Sequence, residues 1–273
     1  MAVEGISFLH TITIGEVSDP QDPGGNILEV STQADGDFDK TNLVTDISRQ
    51  VWRSTDTNEQ FIKVKSEAPT QPDTVALIGT NLTADAVVIL EANSVDDFDN
   101  PPFCVEMLIV NAHTTHAVFL NDFGNEYEYF RFRILDPDNP CGYIEVGRVA
   151  GGQAFTYTGG KEGLQNAFTI GYTDTSKSMT NEGYSRPSNT NILFRTLQGM
   201  LSKMETRDDK DNTNFLGLIE MIENVKTNRP FLTILDRNNP RIFTAWTEFS
   251  NLPNLAYDIN ELATADLKLQ EVF

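Results

Sequence analysis

The chain has 273 residues, with 40 acidic against 20 basic side chains and a formal charge of −20 at pH 7. That surplus argues against a protein whose main partner is an exposed phosphate backbone, so sequence-specific nucleic acid is not an expected partner. Hydrophobic residues at 39% and aromatics at 10% exclude wholesale disorder.

No apolar run approaches the roughly 20 residues of a membrane span. Residues 1–11 lack the basic start and long apolar stretch of a secretory leader. A soluble chain made without Sec-type export or membrane insertion is expected. The two cysteines, Cys104 and Cys141, cannot build a disulfide framework or a four-cysteine zinc site. They are read as free, buried thiols.

Residues 1–25 are read as an N-terminal arm or strand. From 26 to about 151, short β-type runs alternate with Asp, Asn, Gly and Pro clusters, the pattern of an antiparallel sandwich. The runs are 60–65, 74–80, 86–92, 103–111, 117–120, 126–135 and 143–150. None has room for a typical helix. Strand alternation over 127–134 places Tyr127, Tyr129, Arg131 and Arg133 on one face and Phe130, Phe132 and Ile134 on the other. The turn formers of Asp136-Pro-Asp-Asn-Pro-Cys-Gly142 should join two antiparallel strands.

Composition turns to Gly, Thr and Gln over 151–163 and the pattern becomes strand plus helix. A boundary is therefore expected near 155, with a β-sandwich over 1–155 and a smaller α+β domain over 156–273. The polar stretch 173–190 has no period and reads as a binding or partner-contacting arm. Leu197, Met200, Leu201 and Met204 share a helical phase, yet 192–194 also suits a strand, so 193–204 is left as helix or strand. Phe215, Leu218, Ile219, Ile222 and Val225 mark a helix, preceded by capping-type residues 211–214 and stopped by Asn228 and Pro230. A second turn cluster, Asp236-Arg-Asn-Asn-Pro240, lies between strands at 231–235 and 242–249. Leu267, Leu269 and Phe273 alternate with polar residues in a last strand that docks in a sheet.

Chemistry is sparse. Asp35, Asp37 and Asp39 alternate like a calcium loop, but Lys40 stands where an EF-hand needs glycine and Asp46 replaces the final Glu. This loop and the Asp96, Asp97 and Asp99 cluster read as solvated, with calcium as the alternative. His113 and His116 would point to opposite faces of a strand, which does not suit zinc. The run 159–163 lacks the leading glycine of a phosphate loop and carries Glu162 where Ser or Thr would hold magnesium. No Gly-x-Ser-x-Gly elbow and no Cys with an evident His partner is present. No catalytic residue, metal ligand or cofactor is expected, and the chain reads as non-enzymatic. Trp52 and Arg53 suit a carbohydrate-stacking site with an Arg donor, or a core plug at Trp52. Tyr143 and Tyr184 complete the candidate ligand or partner contacts.

Three blocks carry a family resemblance: VWRS at 51–54; VALIGTNL at 75–82 with the run 86–92 after it; and YFRFRILDPDNPCGYIEVGR at 129–148. Together they resemble a tail-associated virion protein family of tailed bacteriophages with a discoidin or galactose-binding-like jelly roll. Thr80 replaces that family's usual His, and Cys141 its usual Asp. The second half resembles the sandwich-plus-helix domain of tail-tube and distal-tail components. The resemblance implies a mainly β chain, an N-terminal antiparallel jelly-roll sandwich followed by an α+β, tail-tube-like domain. It further implies a virion structural subunit that forms a sixfold or threefold ring with other tail proteins, its acidic channel face repelling a passing genome. The alternative it leaves is a carbohydrate-binding module that attaches the virion to a host-surface glycan.

Overall fold

The computed structural model describes residues 6–10, 12–14, 26–47, 49–111, 115–157, 168–174, 178–181, 184–187, 193–205, 215–227, 229–257 and 262–272. His113, the glycine-rich run 159–163, the helix cap at 211–214, Asn228 and Phe273 lie outside them, as do most of the arm at 1–25 and parts of 173–190.

The strands of the first half are β1 (Ile6–Leu9), β2 (Ile27–Val30), β3 (Trp52–Arg53), β4 (Gln60–Thr70), β5 (Thr74–Thr80), β6 (Val87–Asn93), β7 (Phe103–Glu106), β8 (Leu108–Asn111), β9 (Thr115–Phe119), β10 (Tyr127–Leu135), β11 (Glu145–Gly152) and β12 (Phe155–Tyr157). A 3-10 helix spans Lys40–Val44. The second half has β13 (Thr169–Asp174), β14 (Ser178–Asn181), β15 (Tyr184–Pro187), β16 (Leu193–Glu205), α1 (Phe215–Val225), β17 (Phe231–Ile234), β18 (Thr244–Phe249), β19 (Asn254–Tyr257) and β20 (Leu262–Glu271). The chain is mainly β. It forms two compact units, one built on 6–155 with 232–245, the other on 156–231 with 246–272. The return of 232–245 to the first unit has a local cause, the antiparallel pairing of β17 with β1.

The first unit is a jelly-roll sandwich. Its five-stranded sheets run β2-β4-β10-β6-β7 and β3-β11-β5-β9-β8. β4 passes to β5 and β10 to β11 by changing sheets, so two antiparallel ribbons wind together from one layer into the other. Alternation drives this: Ile62 and Val64 of β4 and Phe130, Phe132 and Ile134 of β10 are all fully buried between the layers. Each such side chain contributes on the order of 1.5–3 kcal/mol by leaving water.

Four sequence expectations change here. Tyr127 joins the core face, 5% exposed, because the register with β4 shifts between Tyr127, opposite Thr70, and Tyr129, opposite Lys65, and the alternation reverses at that irregularity. The run 103–111 is two strands; β7 pairs with β6 and β8 with β9, and the chain changes sheets at the buried Met107. Cys104 and Cys141 are free but exposed, one on an edge strand and the other in a turn. The turn 136–142 joins strands of opposite sheets instead of neighbours in one. In it Asn139 N donates to Asp136 O at 3.0 Å and Gly142 N to Asn139 O at 3.0 Å, with Gly142 at φ 76°. The cluster 236–242 repeats this pair of bonds, Asn239 N to Asp236 O and Ile242 N to Asn239 O, each at 3.1 Å.

In the second unit β16 pairs with β13 and β20, and β20 also with β18 and β19, all antiparallel. The segment 193–204, open between helix and strand, is strand. Its helix-like spacing comes from a register shift between Leu201 and Met204, which lets Leu197, Leu201 and Met204 all be buried while Met200 is exposed. Gly199 is required, since a Cβ there would lie 2.2 Å from the Phe168 ring. α1 buries Leu218, Met221 and Val225 along one stripe. Arg195 and Glu271 form a buried ion pair at 2.7 Å. The polar arm contains a two-stranded hairpin, β14 with β15.

Candidate functional site

The loops after β2, β5 and β10 converge at one end of the sandwich, and a polar lattice sets their conformation. Asp136 is buried and accepts from Thr83 N at 2.9 Å, Thr83 Oγ1 at 2.6 Å and Asn139 Nδ2 at 2.8 Å. Asn139 Nδ2 also donates to Asn81 O at 3.0 Å. Asn81 then clamps the start of β11: its Nδ2 donates to Tyr143 O at 2.9 Å, and its Oδ1 accepts from Glu145 N at 2.8 Å. From the other side Ser54 Oγ accepts from Ile144 N at 2.8 Å and Ser54 N donates to Ile144 O at 2.9 Å. The main chain from Tyr143 to Glu145 is thereby held on both sides.

β3 supplies the facing residues. Trp52 is fully buried and its Nε1 donates to Thr32 O at 3.0 Å, so the indole is the core plug and offers no face to a ligand. Arg53, one residue on, points the opposite way. Register places it directly across from Glu145. Its Nε donates to Glu145 Oε1 at 2.8 Å and its Nη2 donates to the same oxygen. The guanidinium lies between two rings, 3.6 Å from the Phe38 centroid and 4.2 Å from that of Tyr143, an arrangement favoured by the electron-rich ring faces. Phe38 is held by its neighbour Asp39, the N-cap of the 3-10 helix, whose Oδ1 accepts from Thr41 N at 2.8 Å. That backbone N–H, with the Thr41 and Gln33 side chains, keeps the Asp39 carboxyl below its usual pKa against a partial opposing effect of burial.

The group retains hydrogen-bonding capacity at a partly exposed surface. Side-chain exposure is 26% for Arg53 and 22% for Glu145. Among the described residues nothing pairs with Arg53 Nη1, Glu145 Oε2 or the Tyr143 hydroxyl. A cationic donor, an anionic acceptor and a phenol stand beside aromatic carbon, a mixture that suits a polyhydroxylated ligand.

Two of the four expected contacts, Arg53 and Tyr143, therefore meet. Tyr184 lies on β15, and its side chain is outside the described residues. Phe38, Asn81 and Glu145 escaped the sequence reading because their roles depend on register and on loops distant in the chain.

The acidic loops have other uses. Asp39 is a cap, Asp46 pairs with Arg148 at 3.0 Å, Asp96 pairs with Lys63 at 3.1 Å, and Asp97 Oδ1 accepts from Asp99 N at 3.0 Å. Among the described residues no group of three or more His, Cys, Asp or Glu is arranged to hold a metal. His116 is buried, its Nδ1 accepting from Gly79 N at 3.3 Å. No described helix is long and apolar enough to cross a membrane.

No family model and no curated protein matches the sequence. Solved structures similar to part of it include CBM32-3 from a family 31 glycoside hydrolase of Clostridium perfringens, at 17% identity and TM-score 0.35, covering 46% of this chain and 88% of that one. The lectin domain of lectinolysin complexed with Lewis B antigen matches at 11% identity and TM-score 0.36, covering 48% and 94%. Reduced XRCC1 bound to the DNA polymerase β catalytic domain matches at 11% identity and TM-score 0.37, covering 47% and 95%. Similarity this low assigns neither ligand nor residue roles to this chain.

Proposed function

We propose that the protein is a non-enzymatic saccharide-binding protein whose jelly-roll unit takes its ligand at the loop end, with Arg53, Glu145, Tyr143 and Phe38 as the contact group. The observation that carries this reading is the Arg53–Glu145 pair. Stacking and one carboxylate oxygen hold it rigid, while Nη1 and Oε2 have no partner among the described residues. Rigid polar groups lose little freedom on binding, which is where small-ligand affinity is usually lost. The expected affinity is millimolar to micromolar. A glycan array probed with the full chain tests it: a defined subset of glycans should bind, and Arg53→Ala and Tyr143→Ala should abolish the signal. An array without hits, or hits unaffected by both substitutions, would overturn the reading.

A second reading, subunit assembly within a virus tail, is supported by the β14–β15 hairpin. Among the described residues it joins no other sheet, and a lone two-stranded hairpin is marginal in water. Docking against a neighbouring copy in a ring would stabilise it. Light scattering on the intact chain should then give a closed oligomer that dissociates when 176–189 are replaced by a short Gly-Ser linker. A strict monomer refutes this role without touching the first.

A further inference from the structure

Phe38 reaches Arg53 from a loop, 34–38, that leaves the edge of β3 and returns to it. At its start Ala34 N donates to Arg53 O at 2.9 Å, but at its end Arg53 N lies 3.5 Å from Phe38 O, the outer limit of a hydrogen bond. Between these points Asp35, Gly36 and Asp37 are all exposed. Main-chain pairing alone therefore holds the ring weakly. Asn42 makes up the difference. Its Nδ2 donates to Asp37 O at 2.7 Å and to Val51 O at 2.9 Å, so one amide ties the residue before Phe38 to the residue that leads into β3. Both partners are carbonyls, which only accept, so the bridge needs two N–H donors on one short side chain. Asparagine has them, and aspartate, of the same shape, has none. The main chain of Asn42 is itself fixed in the 3-10 helix: its N donates to Asp39 O at 3.0 Å, and its O accepts from Thr45 N at 3.2 Å and Thr45 Oγ1 at 3.1 Å. Arg148 Nη1 grips the far end of that helix, donating to Val44 O at 2.8 Å. Resting on the saccharide reading, we infer that Asn42 is a positioning residue of the contact group, acting through Phe38 by keeping its ring against the Arg53 guanidinium.

The test has one readout without ligand and one with it, both on the full chain. The Nε–H proton of Arg53 belongs to a guanidinium lying over the Phe38 and Tyr143 rings, whose ring currents shift its NMR resonance upfield. Phe38→Ala should move that resonance downfield, and Asn42→Asp and Asn42→Ala should each move it most of the way to the same position. On the glycan array the half-saturating concentration should rise about three- to tenfold in either Asn42 variant, the cost of ordering one released side chain. In a Phe38→Ala background, adding Asn42→Ala should change it less than about twofold, because the two residues act as one unit. A merely structural Asn42 would lower stability but leave the Arg53 resonance in place. An unmoved resonance in both variants, or full additivity with Phe38→Ala, overturns the inference while sugar binding stands. If the array gives no hits, the role in binding falls with the saccharide reading, and the resonance alone decides whether Asn42 holds Phe38.

Discussion

Two arginine–glutamate pairs across neighbouring strands serve opposite ends. In the second unit, Arg195 and Glu271 are 4% and 1% exposed, and the contact is bidentate: Nε to Oε2 at 3.0 Å and Nη2 to Oε1 at 2.7 Å, with Arg195 N also reaching Oε2 at 3.2 Å. Both carboxylate oxygens are engaged, as burial demands, because an uncompensated charge away from water is costly. Arg53 and Glu145, near the surface, share one carboxylate oxygen and leave the other to solvent. The same chemistry is saturated where it fills a core and left incomplete where the pair reaches the surface. Glu91 sits between these cases: it is 3% exposed, with Arg131 Nε at 2.6 Å on one oxygen and Arg133 Nε at 3.1 Å on the other.

Breaking the buried pair should have the largest effect. Glu271→Ala is expected to destabilise the protein by about 3–5 kcal/mol, read from chemical denaturation, since it strands Arg195 in the core. Replacing both partners with apolar side chains of similar volume should recover most of that loss. Beneath the exposed pair, Asp136→Ala removes three hydrogen bonds from the lattice that fixes Tyr143 and Glu145. It should cost about 1–3 kcal/mol and weaken saccharide binding together with stability. Arg53→Ala should cost at most about 1 kcal/mol, since pairs at a partly exposed surface add little, yet eliminate binding. This divergence between stability and binding is the sharpest test of the contrast.

The smallest effect expected is one of pH. The Asp39 carboxyl titrates lower in the folded state than in the unfolded chain. Its stabilisation is fully present above the unfolded carboxylate pKa of about 3.9 and is lost as pH falls through the lower folded value. Loosening of the 3-10 cap, and of Phe38 with it, should therefore appear in binding titrations only below about pH 4. Asp39→Asn, which keeps a capping oxygen, should remove that dependence.

Much of the sandwich was legible in the sequence because alternation is a local property. Phe130, Phe132 and Ile134 lie where period two puts them, and of the stripe that spacing marks on α1 Leu218 and Val225 are buried, with Met221 beside them, while Ile219 and Ile222 are only half-buried. Misreadings gather where a register shift reverses the count. Tyr127 crosses to the core at a bulge, and β16 imitated a helix because another bulge brought Leu201 and Met204 to one face. The site was half legible. Arg53 and Tyr143 stood out by type, but Trp52 shared the same motif and went inward, since consecutive strand residues cannot face the same way.

The sequence alone determined the mainly β character, the turn chemistry at 136–142 and 236–242, and the alternation that builds each strand, because these depend on residues a few positions apart. Tertiary structure decided which glutamate met which arginine. Glu145 lies opposite Arg53 only through the β3–β11 register, and Asn81 grips Tyr143 and Glu145 only because loops from separate parts of the chain converge. Such partners are set by the winding of two sheets around a shared core, and no local pattern records that winding.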